Sequence, residues 1–294
     1  MDEISGWVDS LDRQTGNFTL ELIVVSNSEW GESGEELIRQ RPDIRWHKTE
    51  RNLGFSAGNN AGLNLAGGDY IFFLNPDARV KEGCIQKLID HIEDHPDTGM
   101  VGPATLDDEG RLSASVKNHF GLLHLVQVAV PGLDLVVPES YRIGKYTINQ
   151  TQQVEVVNGS AMFLPAAVMK ELGRLDERYF MYWEEHDLCY RLKQLQRPVW
   201  FNREAEIVHK GSVTTRPRFL GMEIEKHKSQ LFFVKKYFTS LTPINRIAGI
   251  LGYALRYLGA LMVMNKTKRQ QFSTIFLWYL RRYSREQIQS QHSG

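Results

Sequence analysis

Cysteine is nearly absent: Cys84 and Cys189 are the only two in 294 residues. That excludes a disulfide framework, argues against a metal site built on thiolates, and favours a reducing compartment. The amino end, MDEISGWVDS, is acidic and carries no apolar run, so no signal peptide is expected. Asn-x-Ser/Thr triplets such as Asn17-Phe18-Thr19 therefore carry no glycosylation message. No Gly-x-Gly-x-x-Gly follows a strand-like run, which sets aside a nicotinamide enzyme. A Gly-rich phosphate loop with basic residues near the amino end is also missing, which argues against a sugar nucleotidyltransferase. There is no internal repeat and no low-complexity stretch. The longest apolar run, Ile247–Met264, is interrupted by Arg256. A spanning helix needs about 20 apolar residues and a central Arg costs roughly 2.5–3.5 kcal/mol, so this run is expected to lie in a membrane interface or pack on the body.

Net charge is absent too, but only in total. Residues 1–215 hold 21 basic and 32 acidic residues, and residues 216–294 hold 14 basic and 3 acidic ones. The body is thus acidic and the tail basic, a split that points the tail towards an anionic surface. Nucleic acid is not an expected partner, because the body is acidic and no recognised module is present. Hydrophobic residues at 42% and aromatics at 11% belong to a folded chain with one large core or two modest ones.

Apolar and turn signals alternate along the first two thirds. A short amphipathic helix is expected at 3–14, a buried strand at Leu20–Ser26, a helix stopped by Pro42, and a short strand in DIRWHK. Next come a helix in SAGNNAGLNLAGG closed by Gly67-Gly68, a strand Tyr70–Leu74, and a helix near Glu82–His95. Such alternation argues for an α/β sheet with parallel neighbours. Tyr70–Leu74 has no alternating polar residue and reads as buried on both faces. Residues 105–155 are poorly patterned, and LLHLVQVAVPGLDLVV fits helix, strand or loop equally. From Val154 the signal returns: a strand to Pro165, a helix AAVMKELG, a loop RLDERYFMYWE, a helix EHDLCYRLKQLQ and a strand PVWFNREAEIVHK. From about residue 220 the chain reads as helical. The expected domains are 1–215 and a basic helical extension, 216–294.

Three features carry chemistry. Asp77 leaves the strand Tyr70–Leu74 through Asn75-Pro76-Asp77-Ala78, where an active-site acid or a mere turn residue would each fit. Glu184-Glu185-His186-Asp187 opens a helix, where acids also complement the helix dipole. His209 sits in IVHKGS, as a ligand or as a satisfied histidine. Gly54, Gly58 and Gly62 recur on one helix face and fit close packing or a near approach to a nucleotide. Asp187 and Arg191 are four apart and are expected to pair.

Together these blocks resemble a known family. NLGFSAGNNAGLNLAGGDYIFFLNPDARV (Asn52–Val80), VNGSAMFLPAAVMKELGRLDERYFMYWEEHDLCYRL (Val157–Leu192) and EIVHKGSVTT (Glu206–Thr215) are similar, in order and spacing, to glycosyltransferase family 2, rhamnosyltransferase-like members above all. The resemblance spans roughly residues 5–240. It implies a GT-A type, Rossmann-like α/β fold with a mixed sheet flanked by helices. It also implies a nucleotide-diphosphate sugar donor, linked to dTDP or UDP, and a divalent cation, Mn2+ or Mg2+. Asp77 would hold the metal with His209, and Asn75 would turn to the ribose or a metal-bound water. Ser26, Asn52, Gly54, Gly58 and Asn59 would contact the donor. Gly159 would keep the sugar pocket open, with Trp183 and Asp187 on the acceptor side, although Trp183 and Tyr182 fit a core role equally. Of the acidic pair Glu184 and Glu185, the second would be the base of an inverting displacement, in a position where relatives usually carry Asp.

Two departures stand beside these matches. This sequence begins after the family's first strand, which would leave an unpaired edge in the sheet. Either the start lies upstream, or another segment covers that edge, or the protein is degenerate. The next strand ends in Ser26-Asn27 where relatives carry Asp-Asn. A degenerate sugar-binding or scaffolding relative is therefore the alternative to an active transferase. An active one would act in the cytoplasm at the inner face of the membrane, on a glycan or lipid-linked glycan of the bacterial surface. Arg216, Arg218, Lys226, Lys228, Lys235 and Lys236 before the apolar run, and Lys266, Lys268, Arg269, Arg281 and Arg282 after it, predict peripheral membrane contact.

Overall fold

The computed structural model describes residues 2–27, 29, 31–133, 137, 145–209 and 219–281. Residues 210–215 of the histidine block, Arg216, Arg218, Arg282 and most of 134–144 lie outside them. The chain forms two compact units, residues 1–119 with 139–219, and residues 120–138 with 220–294. The second boundary falls close to the one expected at 215, but the unpatterned stretch 120–138 joins the helical tail.

The first unit alternates helix and strand. Helix α1 (Asp2–Asp12) buries Trp7, Val8 and Leu11, spaced to share one face. Strand β1 (Ile23–Ser26), α2 (Gly31–Gln40) and β2 (Arg45–Lys48) follow, with β1 and β2 paired in parallel. Helix α3 (Gly54–Leu63) ends before the expected glycine pair, and β3 (Tyr70–Leu74) has the expected bounds. Then come β4 (Ala78–Val80), α4 (Cys84–Asp94), β5 (Met100–Leu106) and β6 (Val116–Lys117). After residue 139 the unit adds β7 (Lys145–Tyr146), β8 (Gln152–Val154), β9 (Val156–Val157), β10 (Ala161–Pro165), α6 (Ala166–Leu172), α7 (Glu184–Gln194) and β11 (Val199–His209). The single strand expected over 154–165 is thus broken into three, by a bend at Glu155 and by the turn Asn158-Gly159-Ser160.

The main sheet runs β3-β10-β5-β11-β4, with β8 also on β11. It is mixed. Strands β5 and β11 are parallel, but β10 is antiparallel to both β3 and β5, and β4 is antiparallel to β11. The expected parallel neighbours hold only for β1–β2 and β5–β11. Strand β10 shows how the core is split: Ala161 and Phe163 face one cluster with α1 and α4, and Met162 and Leu164 face another with α6 and α7. This period-two alternation fills both faces, each large side chain contributing about 1.5–3 kcal/mol on burial.

Among the described residues β1 pairs only with β2, and β3 only with β10. The expected unpaired edge is therefore present, and the sheet is divided between β1 and β3. That division corrects the burial expected of β3. Only Phe73 is fully buried, and Ile71, Phe72 and Leu74 are half-buried, since one edge of the strand has no neighbour.

The second unit is helical: α5 (Leu122–Ala129), α8 (Phe219–Tyr237), a short 3-10 turn (Thr239–Leu241), α9 (Thr242–Met262) and α10 (Lys266–Leu280). Tyr253, Ile275 and Tyr279 form its core with Ile250 and Phe272. Buried His227 lies 2.6 Å from the Tyr253 hydroxyl and 2.9 Å from that of Tyr279, so each ring nitrogen is satisfied. Among the described residues no helix is long and apolar enough to cross a membrane.

Candidate active site

A cleft of about 1610 Å³ opens in the first unit, lined by β1, α3, β3 and the loops that leave β3, β9 and α7's amino end. The pairing register explains why distant residues meet there. Strand β4 runs antiparallel to the end of β11, with His209 opposite Ala78. Residues 77 and 209 are thereby neighbours, and His209 Nε2 lies 3.1 Å from Asp77 Oδ1. Asn75-Pro76-Asp77-Ala78 is a closed turn, the Ala78 amide donating to Asn75 O at 3.0 Å. Both readings of Asp77 thus hold, as a turn residue that also presents its carboxyl to the cleft. Burial opposes ionisation of Asp77, but the His209 hydrogen bond and charge outweigh it and hold the carboxyl below its ordinary value.

Helix α7 contributes to the same lining. Its first two residues, Glu184 and Glu185, are 6% and 4% exposed and line the cleft. Tyr182 and Trp183, immediately before, both take left-handed backbone angles, φ 67° and 70°. Such strain in bulky residues costs on the order of 1–3 kcal/mol each and persists where the surroundings enforce it. Lys117 on β6 forms an ion pair with Glu185 Oε1. Burial raises the Glu185 carboxyl's pKa, but Lys117, with help from His186, more than offsets it and keeps Glu185 ionised. Burial first, and then the Glu185 charge, push Glu184 well above the usual carboxylate range. The Oε2 atoms of Glu184 and Glu185 are buried without a hydrogen-bond partner.

The nucleotide-side loop is tied down by Asn27. Its side chain donates to Gly54 O at 3.0 Å and accepts from the Leu53 amide at 3.1 Å, while Asn52 Oδ1 accepts from the Gly54 amide at 2.9 Å. Gly54 has φ +78°, and a Cβ there would lie 2.2 Å from Phe180 O. Gly58 and Gly62 face Asn27 and Val25 closely, at 3.1 and 3.3 Å from where a Cβ would stand, so the glycine face packs α3 onto β1.

Of the residues singled out in the sequence, Asn52, Gly54, Gly58, Asn59, Asn75, Asp77, Gly159, Glu184, Glu185 and His209 line this one cleft. Ser26, Trp183 and Asp187 do not. The Ser26 carbonyl accepts from Thr49. Trp183 is buried and stacks on His186, ring centroids 4.4 Å apart. Asp187 pairs with Arg191 at 2.8 Å, and Arg191 also donates to Leu172 O, so this pair braces α7. Lys117 and Asn27 are the residues missed from the sequence. Asn27 follows a strand end and was noted only as part of a departure. Lys117 lies in the unpatterned stretch, where nothing marked it.

Asp77, His209, Glu184 and Glu185 thus line one cleft with the Asn52–Gly54 loop on an α/β fold. The same fold occurs in GalNAc-T7 crystallised with UDP, GalNAc and Mn2+, with a TM-score of 0.52 at 13% identity over 69% of this chain, which spans 40% of that structure. The model of Glycosyl transferase family 2 matches residues 2–164, and the chain belongs to that family. Among curated relatives, it is 23% identical over 232 residues to the N-acetylglucosaminyl-diphospho-decaprenol L-rhamnosyltransferase of Mycobacterium tuberculosis, covering 72% of this chain and 74% of that protein. It is 28% identical over 180 residues to the low-salt glycan biosynthesis hexosyltransferase Agl10 of Haloferax volcanii, covering 59% and 53%.

Proposed function

We propose that this chain is a metal-dependent, inverting glycosyltransferase that moves a rhamnose-like sugar from a dTDP- or UDP-linked donor to a glycan or lipid-linked glycan acceptor. The observation that carries the proposal is the shared cleft. Asp77 and His209, in contact with each other, line it together with Glu184 and Glu185.

Asp77, held ionised, and His209 Nε2 would hold the cation. An oxygen and an imidazole nitrogen suit Mn2+ at least as well as Mg2+. Among the described residues no cluster of three His, Cys, Asp or Glu is assembled for a metal, so the donor diphosphate and water would supply the other ligands. When bound, the cation offsets negative charge building on the leaving diphosphate. The Asn52–Gly54 loop, fixed by Asn27, orients the nucleotide. Glu185 receives the proton of the attacking hydroxyl at Oε2, while Lys117 holds Oε1 and keeps the carboxylate aligned. Attack from the face opposite the diphosphate inverts the anomeric centre. A lipid-linked acceptor is supported by the rhamnosyltransferase relative, whose name specifies a diphospho-decaprenol substrate, and would place the work at the inner face of a cytoplasmic membrane.

The test is Asp77→Ala. Metal-dependent donor turnover should fall by about 100-fold or more, with circular dichroism and melting unchanged. Unchanged turnover would remove Asp77 from the metal site. Calorimetry of the unaltered protein should show dTDP or UDP binding that tightens with manganese; no nucleotide heat with any metal would favour a non-catalytic, sugar-binding role.

A further inference from the structure

The second unit exposes an aliphatic strip that its own core does not use. On α9, Ile244, Ile247, Leu251, Leu255, Leu258 and Met262 are each between 48% and 82% exposed. At 100° per residue these six fall within an arc of about 80°, and at 1.5 Å per residue they run for about 27 Å. Of the buried residues of the same helix, Asn245, Gly249, Tyr253 and Ala260 lie on the other side, and Ala248 and Gly252 border the strip. Helix α5, which packs against α9, exposes Leu122 and Val126 as well, and Val130 follows it.

Arg256, which interrupts the apolar run in the sequence, does not interrupt the strip. Its guanidinium turns inward, donating to Val128 O at 3.0 Å and lying over the Tyr253 ring at 5.2 Å. Arg246 likewise turns away, donating to the carbonyls of Tyr279, Leu280 and Arg281 at the end of α10. Both arginines cap neighbouring helix ends, and the outward face is left purely aliphatic. A soluble monomer rarely leaves so long an apolar line open to water.

The charge beside the strip selects its occupant. Residues 239–281 contain six basic residues and no acidic one. Lys266 and Lys268 are exposed just beyond Met262, Val263 and Met264, which are 82%, 70% and 85% exposed. An aliphatic stripe laid sideways, with exposed lysines just beyond its end and no acidic residue in this stretch of chain, matches the acyl–headgroup boundary of an anionic bilayer. A second copy of this face would instead bring like charges together.

We infer that the outward face of α9, with α5 beside it, docks flat on an anionic lipid surface, aliphatic side chains entering the headgroup boundary and Lys266 and Lys268 meeting lipid phosphates. The inference does not depend on the transferase reading, because it needs neither donor nor acceptor.

The experiment is flotation of the full chain with vesicles of phosphatidylglycerol and phosphatidylcholine, against phosphatidylcholine alone, in low-salt buffer. Binding is expected only to the anionic vesicles. Lys266→Glu with Lys268→Glu should weaken it by about tenfold or more, and Leu251→Asp with Leu255→Asp should abolish it. All four positions are exposed, so circular dichroism should stay unchanged. As a second readout, Leu255→Trp should be quenched by brominated anionic lipid. No binding to anionic vesicles, equal binding by the variants, or a stable dimer in solution that Leu251→Asp dissociates would each overturn the inference. Nucleotide binding by the leucine variants should be normal, so failure here is separable from failure of the catalytic proposal.

Discussion

With Lys117 on one oxygen, Glu185 gives up its proton more readily than a free glutamate, and this decides the acid side of any pH profile. Removing the cation by Lys117→Met takes away the main opposition to burial and leaves only His186 and a backbone hydrogen bond against it, so the Glu185 pKa should rise. The acidic limb of the transfer rate should then move to higher pH, measured as kcat against pH. A limb that stays in place would show that Lys117 does not set the ionisation of Glu185. Glu184 has the opposite sign. A group whose folded pKa is raised stabilises the fold below its unfolded pKa and loses that contribution as pH rises through the folded value. The charge on Glu184 therefore costs stability at neutral to alkaline pH. Glu184→Gln should raise the melting temperature there by about 2–4 °C and change it little in acid. Identical pH dependence of melting in both proteins would contradict this account of the pair.

At the scale of elements, the strands were legible wherever their own residues decided the matter. The run Tyr70–Leu74 fixed the limits of β3, and the turn chemistry of Asn75-Pro76 placed Asp77 at its mouth. What the run did not disclose was burial, because that depends on a neighbour at the strand's other edge, and β1 and β3 are not paired to one another. The direction of β10 was equally hidden, since alternation of apolar residues is the same in parallel and antiparallel pairs. The meeting of His209 with Asp77 came only from resemblance; the pairing of β4 with β11 is its physical cause. Lys117 was illegible, sitting on a two-residue strand. Glycine offers a sharper test at this scale. Gly54 and Gly83 both have left-handed angles, φ +78° and +71°, but only Gly54 is crowded, by Phe180 O. Gly83→Ala should cost about 1 kcal/mol, and Gly54→Ala about 2 kcal/mol or more together with weaker nucleotide binding. Denaturant melts and nucleotide titrations of the two variants decide it, and equal costs would argue that the Gly54–Phe180 contact is not tight.

Over the whole molecule the two charge populations should answer salt in opposite senses. The net charge of residues 1–215 is −11 and that of 216–294 is +11, which no property of the neutral total reveals. A nucleotide diphosphate approaches a body that repels it, and His209, Lys117, Arg79 and a bound cation would offset that locally. Added salt screens the repulsion, so metal-bound nucleotide should bind about equally well, or better, when ionic strength rises from about 50 to 300 mM. A lipid surface, by contrast, meets a tail rich in lysine and arginine, and screening removes the attraction while leaving apolar burial intact. Vesicle binding should therefore weaken by about tenfold or more over the same range. Measured on one preparation, parallel loss of both affinities would show that charge is not divided by role along this chain, and a salt-insensitive vesicle affinity would assign membrane contact to the leucines alone.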